Sequence, residues 1–367
     1  MTKDIHPQRG LESIKPYVPG KPIADVVREY GLDDVIKMAS NENPLGVSPK
    51  ALAAMQATLS GLNHYPDAAS YEFRSALAGH FDVDMSQVAV GNGADDLILE
   101  LSMAYLDDGD EVVVSRSSFP MYDIHATAMR ARLVKTPLTS EYGIDLNAMA
   151  DAVTGRTKIV YICNPNNPTG TIVHADEVAA FIRRVPESAM IVIDEAYVEM
   201  VDSNHFPNSL AYIREGRKNV FVMRTFSKVY GLAGIRIGYG FAHRDVISTL
   251  FKIKPPFNVN VLAQAAGIAA LTDEDFVAQS VDANRIEREH LYRELDKLGL
   301  SYAESHTNFI LIRIGSSATD VQQSLLKRGV IVRPCGGYDL PKFIRVSIGI
   351  REQNERFIAT LTEILGR

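Results

Sequence analysis

One lysine-containing segment places the strongest constraint on this chain. An apolar run, Val220 to Met223, is followed by two hydroxyl residues and Lys228, and a glycine-spaced turn then leads into a second apolar run that carries Arg236; the segment contains four glycines. This pattern predicts a strand, a loop that permits close approach of another group, and a second strand.

The residue types in this segment indicate a reactive amine. A lysine held just past a buried strand lies in a dry site, where burial and a nearby cation lower its pKa and keep the amine nucleophilic. Arg236 is such a cation, and together with Thr225 and Ser227 it provides groups that can bind a phosphate. A solvated loop lysine beside a structural turn is the competing interpretation, and a lone Ser-Lys pair would favour it. The glycines and the arginine at this spacing reverse that preference.

The segment resembles the cofactor-lysine motif of fold type I pyridoxal-phosphate enzymes, in the branch of class I and II aminotransferases. The resemblance implies an α/β fold: a large domain with a mostly parallel sheet covered by helices, and a smaller α+β domain. The rest of the chain must then supply a phosphate-binding turn, an acid for the cofactor ring, an aromatic stack and an anion clamp.

Composition excludes several other classes of function. The chain has 367 residues and a formal charge of −7 without a basic stripe, so nucleic acid and anionic membranes are not expected partners. Cys163 and Cys335 are the only cysteines and are far apart, which argues against a disulfide scaffold or a metal site and fits a reducing cytoplasm. The polar start lacks the apolar core of a secretion signal, and no apolar run approaches the roughly 18 residues of a membrane span. We expect a soluble cytoplasmic protein.

Chemically useful residues follow several strand-like runs. The predicted strands are 87–90, 111–115, 158–163, 189–193 and 220–223. Ligands of mostly parallel sheets bind beyond the carboxyl ends of the strands. Five positions lie just after such runs and are therefore predicted to share one site: the Gly93 turn, Phe119, Asn167, Asp194 and Lys228.

Each of these positions also has a structural interpretation. A strand, a glycine turn and a helix at Gly93 form a geometry that receives phosphate, but the signal is weak alone, and the third glycine of a dinucleotide fingerprint is absent. Phe119 more often packs than stacks on a heterocycle. Asp194 is costly to bury unless a cation such as a pyridinium N–H meets it, and a helix cap is the alternative. Their common placement at one sheet edge outweighs the separate alternatives.

The domain boundaries are predicted from proline-marked segments. Residues 1–39 form an N-terminal arm that joins the small domain, residues 40–253 form the large domain, and residues 254–367 form the small α+β domain. In the last part, Arg333 and Arg345 follow apolar strand residues and form a candidate paired anion clamp, although a surface salt bridge is the simpler interpretation for each alone. Helices are predicted at 50–59, 70–80, 97–106, 273–298, 318–328 and 352–365.

Beyond the lysine segment, the chain is similar to the histidinol-phosphate aminotransferase family over nearly its whole length. The matching segments are 15–22, 40–44, 65–67, 166–170, 194–197, 254–258 and 307–309. Segments 15–22 and 254–258 are the most discriminating of these.

The resemblance implies a role for each matched residue. Lys228 would hold the cofactor covalently and move the substrate proton, and Asp194 would bind the ring nitrogen. Asn167 and Tyr197 would bind the phenolic oxygen, and Phe119 would stack on the ring. The phosphate would be surrounded by Gly93, Ala94, Asp95, Thr225, Ser227 and Arg236, and by Tyr65 of a second subunit, which implies a homodimer with shared sites. The substrate pocket would contain Tyr17, Asn43, Tyr65, Arg333 and Arg345.

The leading hypothesis is reversible transamination between L-histidinol phosphate, a small-molecule amino donor, and 2-oxoglutarate, a 2-oxo acid, in L-histidine biosynthesis. A planar arginine fork serves both the phosphate of the first substrate and the carboxylate of the second. The same versatility leaves a broad aromatic aminotransferase open, as well as a phosphothreonine decarboxylase. A catalytically silent aminotransferase-like protein is the alternative from another class.

Overall fold

The structure is a computed structural model that describes residues 5–315 and 317–366. Its strands are β1 (Ile36–Lys37), β2 (Val88–Gly91), β3 (Glu111–Ser115), β4 (Arg132–Thr136), β5 (Thr157–Cys163), β6 (Met190–Asp194), β7 (Val220–Thr225), β8 (Gly238–Ala242), β9 (Phe309–Arg313), β10 (Val330–Ile331), β11 (Arg333–Pro334) and β12 (Phe343–Ser347). Its α-helices are α1 (Ile23–Tyr30), α2 (Pro49–Thr58), α3 (Tyr71–Phe81), α4 (Ala94–Tyr105), α5 (Pro120–Ala128), α6 (Leu146–Asp151), α7 (Ala175–Arg184), α8 (Leu210–Arg214), α9 (Arg244–Leu250), α10 (Val261–Leu271), α11 (Glu274–Lys297), α12 (Ala318–Lys327) and α13 (Arg351–Leu365).

A seven-stranded sheet forms the centre of the larger body, with the order β2-β8-β7-β6-β5-β3-β4. All neighbouring strands are parallel except β8, which runs antiparallel to β2 and β7. Strands β3 and β6 are buried along their whole length. This burial explains their near-continuous apolar sequences, because helices cover both faces of the sheet.

The strand register brings the carboxyl ends of β5, β6 and β7 together. Asp194 pairs with Cys163 on one side and with Met223 on the other. The segments that follow these three strands therefore begin at one edge of the sheet, which is where the sequence placed the candidate site.

The smaller body contains a three-stranded antiparallel sheet, β11-β12-β9, and a two-stranded parallel pair, β1-β10. Its core is formed by α11, α12, α13 and these strands, with Leu295, Ile310 and Phe357 fully buried. Part of the N-terminal segment joins this body, because β1 pairs with β10 and α1 packs against α12.

The helix α10 belongs to the larger body, although the sequence placed all residues from 254 onward in the smaller domain. Its alanines pack against α2 and α3, and Gly267 lies so close to Phe73 that a Cβ there would be 2.6 Å from the ring. In the following helix α11, Val277 packs against the large core, whereas Leu295 belongs to the small core. The transition between the two cores therefore falls within α11 rather than at residue 254.

We find no helix among residues 5–315 and 317–366 that is both long and apolar enough to cross a membrane.

Candidate active site

A cavity of about 340 Å³ lies at the carboxyl edge of the large sheet, and residues of both bodies line it. Most of the residues singled out from the sequence are brought together in its wall: Tyr17, Ala94, Asp95, Phe119, Asn167, Asp194, Tyr197, Thr225, Ser227, Lys228, Arg236 and Arg345. Gly93, Asn43, Tyr65 and Arg333 do not line this cavity.

Lys228 is half-buried in the loop after β7, and its Nζ lies 5.5 Å from the centre of the Tyr197 ring. The turn after it requires glycine, since Gly231 has φ +69° and a Cβ there would lie 1.9 Å from the Gly46 carbonyl oxygen. Burial lowers the pKa of Lys228 to about 8, and the positive charge of Arg345 adds to this effect. An appreciable fraction of this amine is therefore neutral near physiological pH.

Asp194 ends β6 and is buried. Tyr122 Oη donates a 2.6 Å hydrogen bond to its Oδ2, and the Ala196 N–H donates a 3.1 Å bond to its Oδ1. Burial raises the pKa of Asp194 to about 6, whereas these hydrogen bonds and the Lys228 charge act in the opposite direction. The carboxylate is thus ionised at neutral pH and suited to hold a cationic N–H.

Tyr122 is a site residue that the sequence analysis missed. It is fully buried, and its ring stacks on Tyr161 with the centroids 4.3 Å apart. Burial and the Asp194 charge hold its pKa well above the ordinary value for tyrosine, so its hydroxyl remains a donor. Its position three residues after Phe119 was visible in the sequence, but nothing there linked it to Asp194.

The Gly93 turn and the start of α4 form a cradle for an anion. Gly93 has φ +92°, and a Cβ there would lie 2.5 Å from Nη2 of Arg236, so only glycine lets the guanidinium pack against the turn. Opposite this turn, the Ser227 N–H donates to Thr225 Oγ1 over 3.1 Å, and the two hydroxyls lie 3.0 Å apart. Free N–H groups at a helix start, hydroxyls and a guanidinium are the donor set that binds phosphate.

Asn41 is a second residue that the sequence analysis missed. Its Nδ2 donates a 3.0 Å hydrogen bond to Tyr197 Oη, and its Oδ1 accepts a 2.8 Å bond from Ser347 Oγ. It adopts φ 55°, a left-handed conformation that asparagine tolerates better than most residues. Segment 40–44 was recognised as a polar loop, but Asn43 was chosen from it instead.

Asn43 supports the lysine loop from outside the cavity. Its Nδ2 donates to the Val229 carbonyl oxygen over 2.8 Å and to Ser280 Oγ over 2.9 Å. Tyr65 lies on the surface, 83% exposed, and its ring stacks on Phe257 at 4.6 Å. Neither side chain contacts the cavity within this chain.

The two arginines of the candidate clamp are cross-strand neighbours in β11 and β12. Arg345 is buried, donates to Asn167 Oδ1 and, over 2.8 Å, to the Ala39 carbonyl oxygen. Its Nε is buried without a hydrogen-bond partner among the residues that the structure describes. Arg333 instead donates a 2.5 Å bond to the Val18 carbonyl oxygen, and its guanidinium lies 5.2 Å from the Tyr17 ring centre. Arg345 therefore faces the cavity, whereas Arg333 ties the N-terminal arm to its rim.

Known proteins resemble this chain in sequence and in structure. The sequence pattern of the family described as aminotransferase class I and II matches residues 33–361. A protein named histidinol-phosphate aminotransferase from Moorella thermoacetica is 48% identical, covering 98% of this chain and 92% of its own length. One named histidinol-phosphate aminotransferase 2 from Carboxydothermus hydrogenoformans is 43% identical, covering 98% of this chain and 99% of its own. The crystal structure of histidinol-phosphate aminotransferase from Sinorhizobium meliloti in complex with pyridoxal-5'-phosphate superposes with a TM-score of 0.92 at 28% identity, covering 100% of this chain and 99% of that one.

The protein is thus an α/β aminotransferase with a large, mostly parallel sheet and a smaller α+β body. More specifically, the chain belongs to the aminotransferase class I and II family. Both the family and the fold class predicted from the lysine segment are confirmed.

Proposed function

We propose that the cavity binds pyridoxal 5'-phosphate and that the protein transfers the amino group of L-histidinol phosphate to 2-oxoglutarate in L-histidine biosynthesis. The observation that carries the proposal is that Lys228 and Asp194 line the same cavity, one after β7 and the other at the end of β6. The names of the relatives at 48% and 43% identity support the substrate, and the ligand of the Sinorhizobium meliloti protein supports the cofactor.

The residues present fit this cofactor. The cradle at Gly93 is so tight that any side chain there would meet Arg236, and its donors match a phosphate. Lys228 would hold the aldehyde end covalently, Asp194 the ring nitrogen, Asn167 and Tyr197 the phenolic oxygen, and Phe119 would stack on the ring. The phosphate would be held by Gly93, Ala94, Asp95, Thr225, Ser227 and Arg236.

Bound pyridoxal phosphate supplies an electron sink for the negative charge left when the substrate α-carbon loses its proton. The chain's own residues make that chemistry possible at neutral pH. Asp194, whose pKa of about 6 leaves it ionised at neutral pH, would keep the ring nitrogen protonated. Lys228 Nζ, whose pKa is lowered to about 8, would accept a proton from the substrate α-carbon and would deliver it to C4′ of the cofactor.

Arg345 supports an anionic substrate. Its buried Nε has no partner among the described residues, so a phosphate or carboxylate oxygen would satisfy it. L-histidinol phosphate has no α-carboxylate, so Arg345 would meet its phosphate and then, in the second half-reaction, a carboxylate of 2-oxoglutarate. Tyr17 and Arg333 would close the rim from the N-terminal arm, and Asn43 would support this pocket through the lysine loop.

A homodimer with shared sites is part of the proposal. Tyr65 and Phe257 form an exposed aromatic stack, and the apolar side chains of Leu59 and Leu62 are also about half exposed nearby in sequence. Such a surface is typical of a protein interface, and Tyr65 would reach the cofactor phosphate and substrate of the second subunit. A cytoplasmic location is also proposed, and the two cysteines, both buried free thiols, support it.

A half-reaction series tests the proposed function. The cofactor-loaded protein is mixed separately with L-histidinol phosphate, phenylalanine, tyrosine and phosphothreonine, and the loss of the visible absorbance band is followed by stopped flow. We expect L-histidinol phosphate to convert the cofactor fastest. Faster conversion by phenylalanine or tyrosine would instead identify an aromatic aminotransferase, and release of carbon dioxide from phosphothreonine would identify a decarboxylase. Absence of the visible band would favour a silent protein.

A further inference from the structure

A second cavity, of about 270 Å³, lies beside the lysine loop and shares no lining residue with the main one. Its walls come from both bodies: the loop at Asn43 to Leu45, Met200, the middle of α11, and the junction between β12 and α13. It therefore lies where the two cores meet, since α11 runs from one core to the other.

The chemistry of this second cavity is mostly apolar. Its wall includes the side chains of Leu45, Met200, Ala283, Ile286, Ile348 and Ile350. The two charged residues in the wall, Glu287 and Arg351, bind each other through contacts of 2.8 to 3.1 Å. Because this ion pair is already matched, the cavity offers no net charge to a ligand.

One side chain that lines the cavity has an unused polar atom. Asn308 is 1% exposed and lines the second cavity. Its Nδ2 donates a 2.9 Å bond to the Asn41 carbonyl oxygen, which sets the orientation of the amide, while its Oδ1 is buried without a partner among residues 5–315 and 317–366. A buried acceptor left without a donor is unfavourable, so a ligand that supplies one N–H or O–H group gains from meeting it.

We propose that the second cavity is a binding site for a small, uncharged, mainly apolar molecule that carries one hydrogen-bond donor. Its volume is slightly below the roughly 300 Å³ at which ligand pockets usually begin, which selects a molecule of one or two rings. The donor of the ligand bonds to Asn308 Oδ1, and its apolar body contacts α11 and the β12–α13 junction.

This site is connected to the main cavity through three asparagines. Asn308 donates a hydrogen bond to the Asn41 carbonyl oxygen, and the Asn41 side chain donates a 3.0 Å hydrogen bond to Tyr197 Oη. Asn43 lines the second cavity and donates to the carbonyl of Val229, the residue after Lys228. A ligand that contacts Asn43 and Asn308 therefore changes the turnover at Lys228 without competing for the substrate. This kinetic effect rests on the proposed function, whereas the binding itself does not.

Indole is the probe for the binding test, because it is flat and apolar and has one N–H donor. Its affinity is measured by isothermal titration calorimetry with the full-length, cofactor-loaded protein and two variants. Ala283→Phe fills the cavity, and Ala278→Phe adds the same ring to an exposed position of α11 outside it. We expect equal binding to the wild type and Ala278→Phe, and a Kd at least about tenfold higher for Ala283→Phe. Circular dichroism checks folding, and Ile350→Trp, which narrows the cavity from the other wall, gives an independent variant with the same expected loss.

Equal affinity for all the variants, or no binding to the wild type, would overturn the proposal. The second of these outcomes includes the case in which a second subunit covers the mouth. The kinetic arm measures kcat at saturating substrate, which we expect indole to change in the wild type and Ala278→Phe but not in Ala283→Phe. Inhibition of equal size in all three proteins that is relieved by substrate would place indole in the main cavity and contradict the assignment. Because calorimetry needs no turnover, its result stands apart from any failure of the proposed reaction.

Discussion

The phenol of Tyr122 holds the carboxylate of Asp194 through a 2.6 Å hydrogen bond that is shielded from solvent. The two residues come from α5 and from the end of β6, and the Ala196 N–H holds the other carboxylate oxygen. The phenol favours the ionised form of Asp194, so it opposes the burial that raises the pKa of this acid to about 6. Tyr122 is therefore a positioning residue for the carboxylate.

Replacement of Tyr122 by Phe is expected to raise the pKa of Asp194, since a donor to the ionised form is lost. We expect protonation of this carboxylate to produce the acidic limb of the kcat profile, and this limb should move to higher pH in the variant. A hydrogen bond to a charged group contributes about 1.5–3 kcal/mol, so the added protonation of Asp194 should lower kcat at pH 7 by roughly 2- to 15-fold. The measurement is kcat against pH for the variant and the wild type.

Tyr161→Phe provides the matched control for this prediction. Tyr161 stacks on Tyr122 and is equally buried, but its hydroxyl has no hydrogen bond to Asp194. Its variant should therefore keep the wild-type position of the acidic limb. If both variants lost the same activity with unchanged pH profiles, Tyr122 would act only through packing.

The pKa of Lys228 gives a prediction for attachment of the cofactor. Only the neutral amine attacks an aldehyde, so attachment to the cofactor-free protein should accelerate as the pH rises and level off above about 8. Arg345 contributes to the lowered pKa, and Arg345→Met should therefore move this rise to higher pH. The rate of appearance of the visible band, recorded across the pH range, provides the readout.

Arg333→Met is the control for the charge effect, because Arg333 lies at the rim and does not contribute to the lowered pKa of Lys228. Its attachment profile should match that of the wild type. Lys228→Ala should show no lysine-dependent band and should lose activity by more than about 10³-fold. A band of unchanged intensity in Lys228→Ala would assign the cofactor to another amine.

Much of the larger body was predictable from local pattern. The strand Glu111–Ser115 has the predicted bounds, because a fully buried strand is a short apolar run between polar residues. The residues that end such strands, including Asp194, were predictable as neighbours because parallel strands place their carboxyl ends at one edge.

What the sequence could not provide were contacts between distant segments. The Tyr122–Asp194 and Asn41–Tyr197 hydrogen bonds join residues that are 72 and 156 positions apart, and no local signal pairs them. The sequence analysis placed α10 in the smaller domain for a related reason. Its alanine-rich sequence is apolar on all sides, so its periodicity did not show which core it packs against.

Asn41 has a left-handed backbone conformation and buried side-chain hydrogen bonds. Replacing it by alanine and by glycine separates the contributions of these two features to stability. Asn41→Ala should lower the free energy of unfolding by about 2–4 kcal/mol, because it leaves buried partners unsatisfied and strains the backbone at φ 55°. Asn41→Gly removes the same hydrogen bonds but tolerates this φ, so it should be less destabilised than the alanine variant. Urea unfolding of the three proteins measures the difference. Equal stability of the alanine and glycine variants would show that backbone strain contributes nothing here.

The proposed sharing of Tyr65 between subunits predicts that two inactive variants restore activity when they are mixed. Tyr65→Ala homodimers would lack the tyrosine in both sites, and Lys228→Ala homodimers would lack the amine in both. A hybrid dimer contains one site with an intact Lys228 and with Tyr65 from its partner. After unfolding and refolding of an equimolar mixture, random pairing makes half of the dimers hybrid, each with one intact site, so about a quarter of the wild-type activity should return.

Tyr71→Ala, which removes another exposed tyrosine nearby, should remain active alone and serves as the control. Activity of the mixture no higher than the mean of the two separate variants would mean that Tyr65 serves no site in a second subunit.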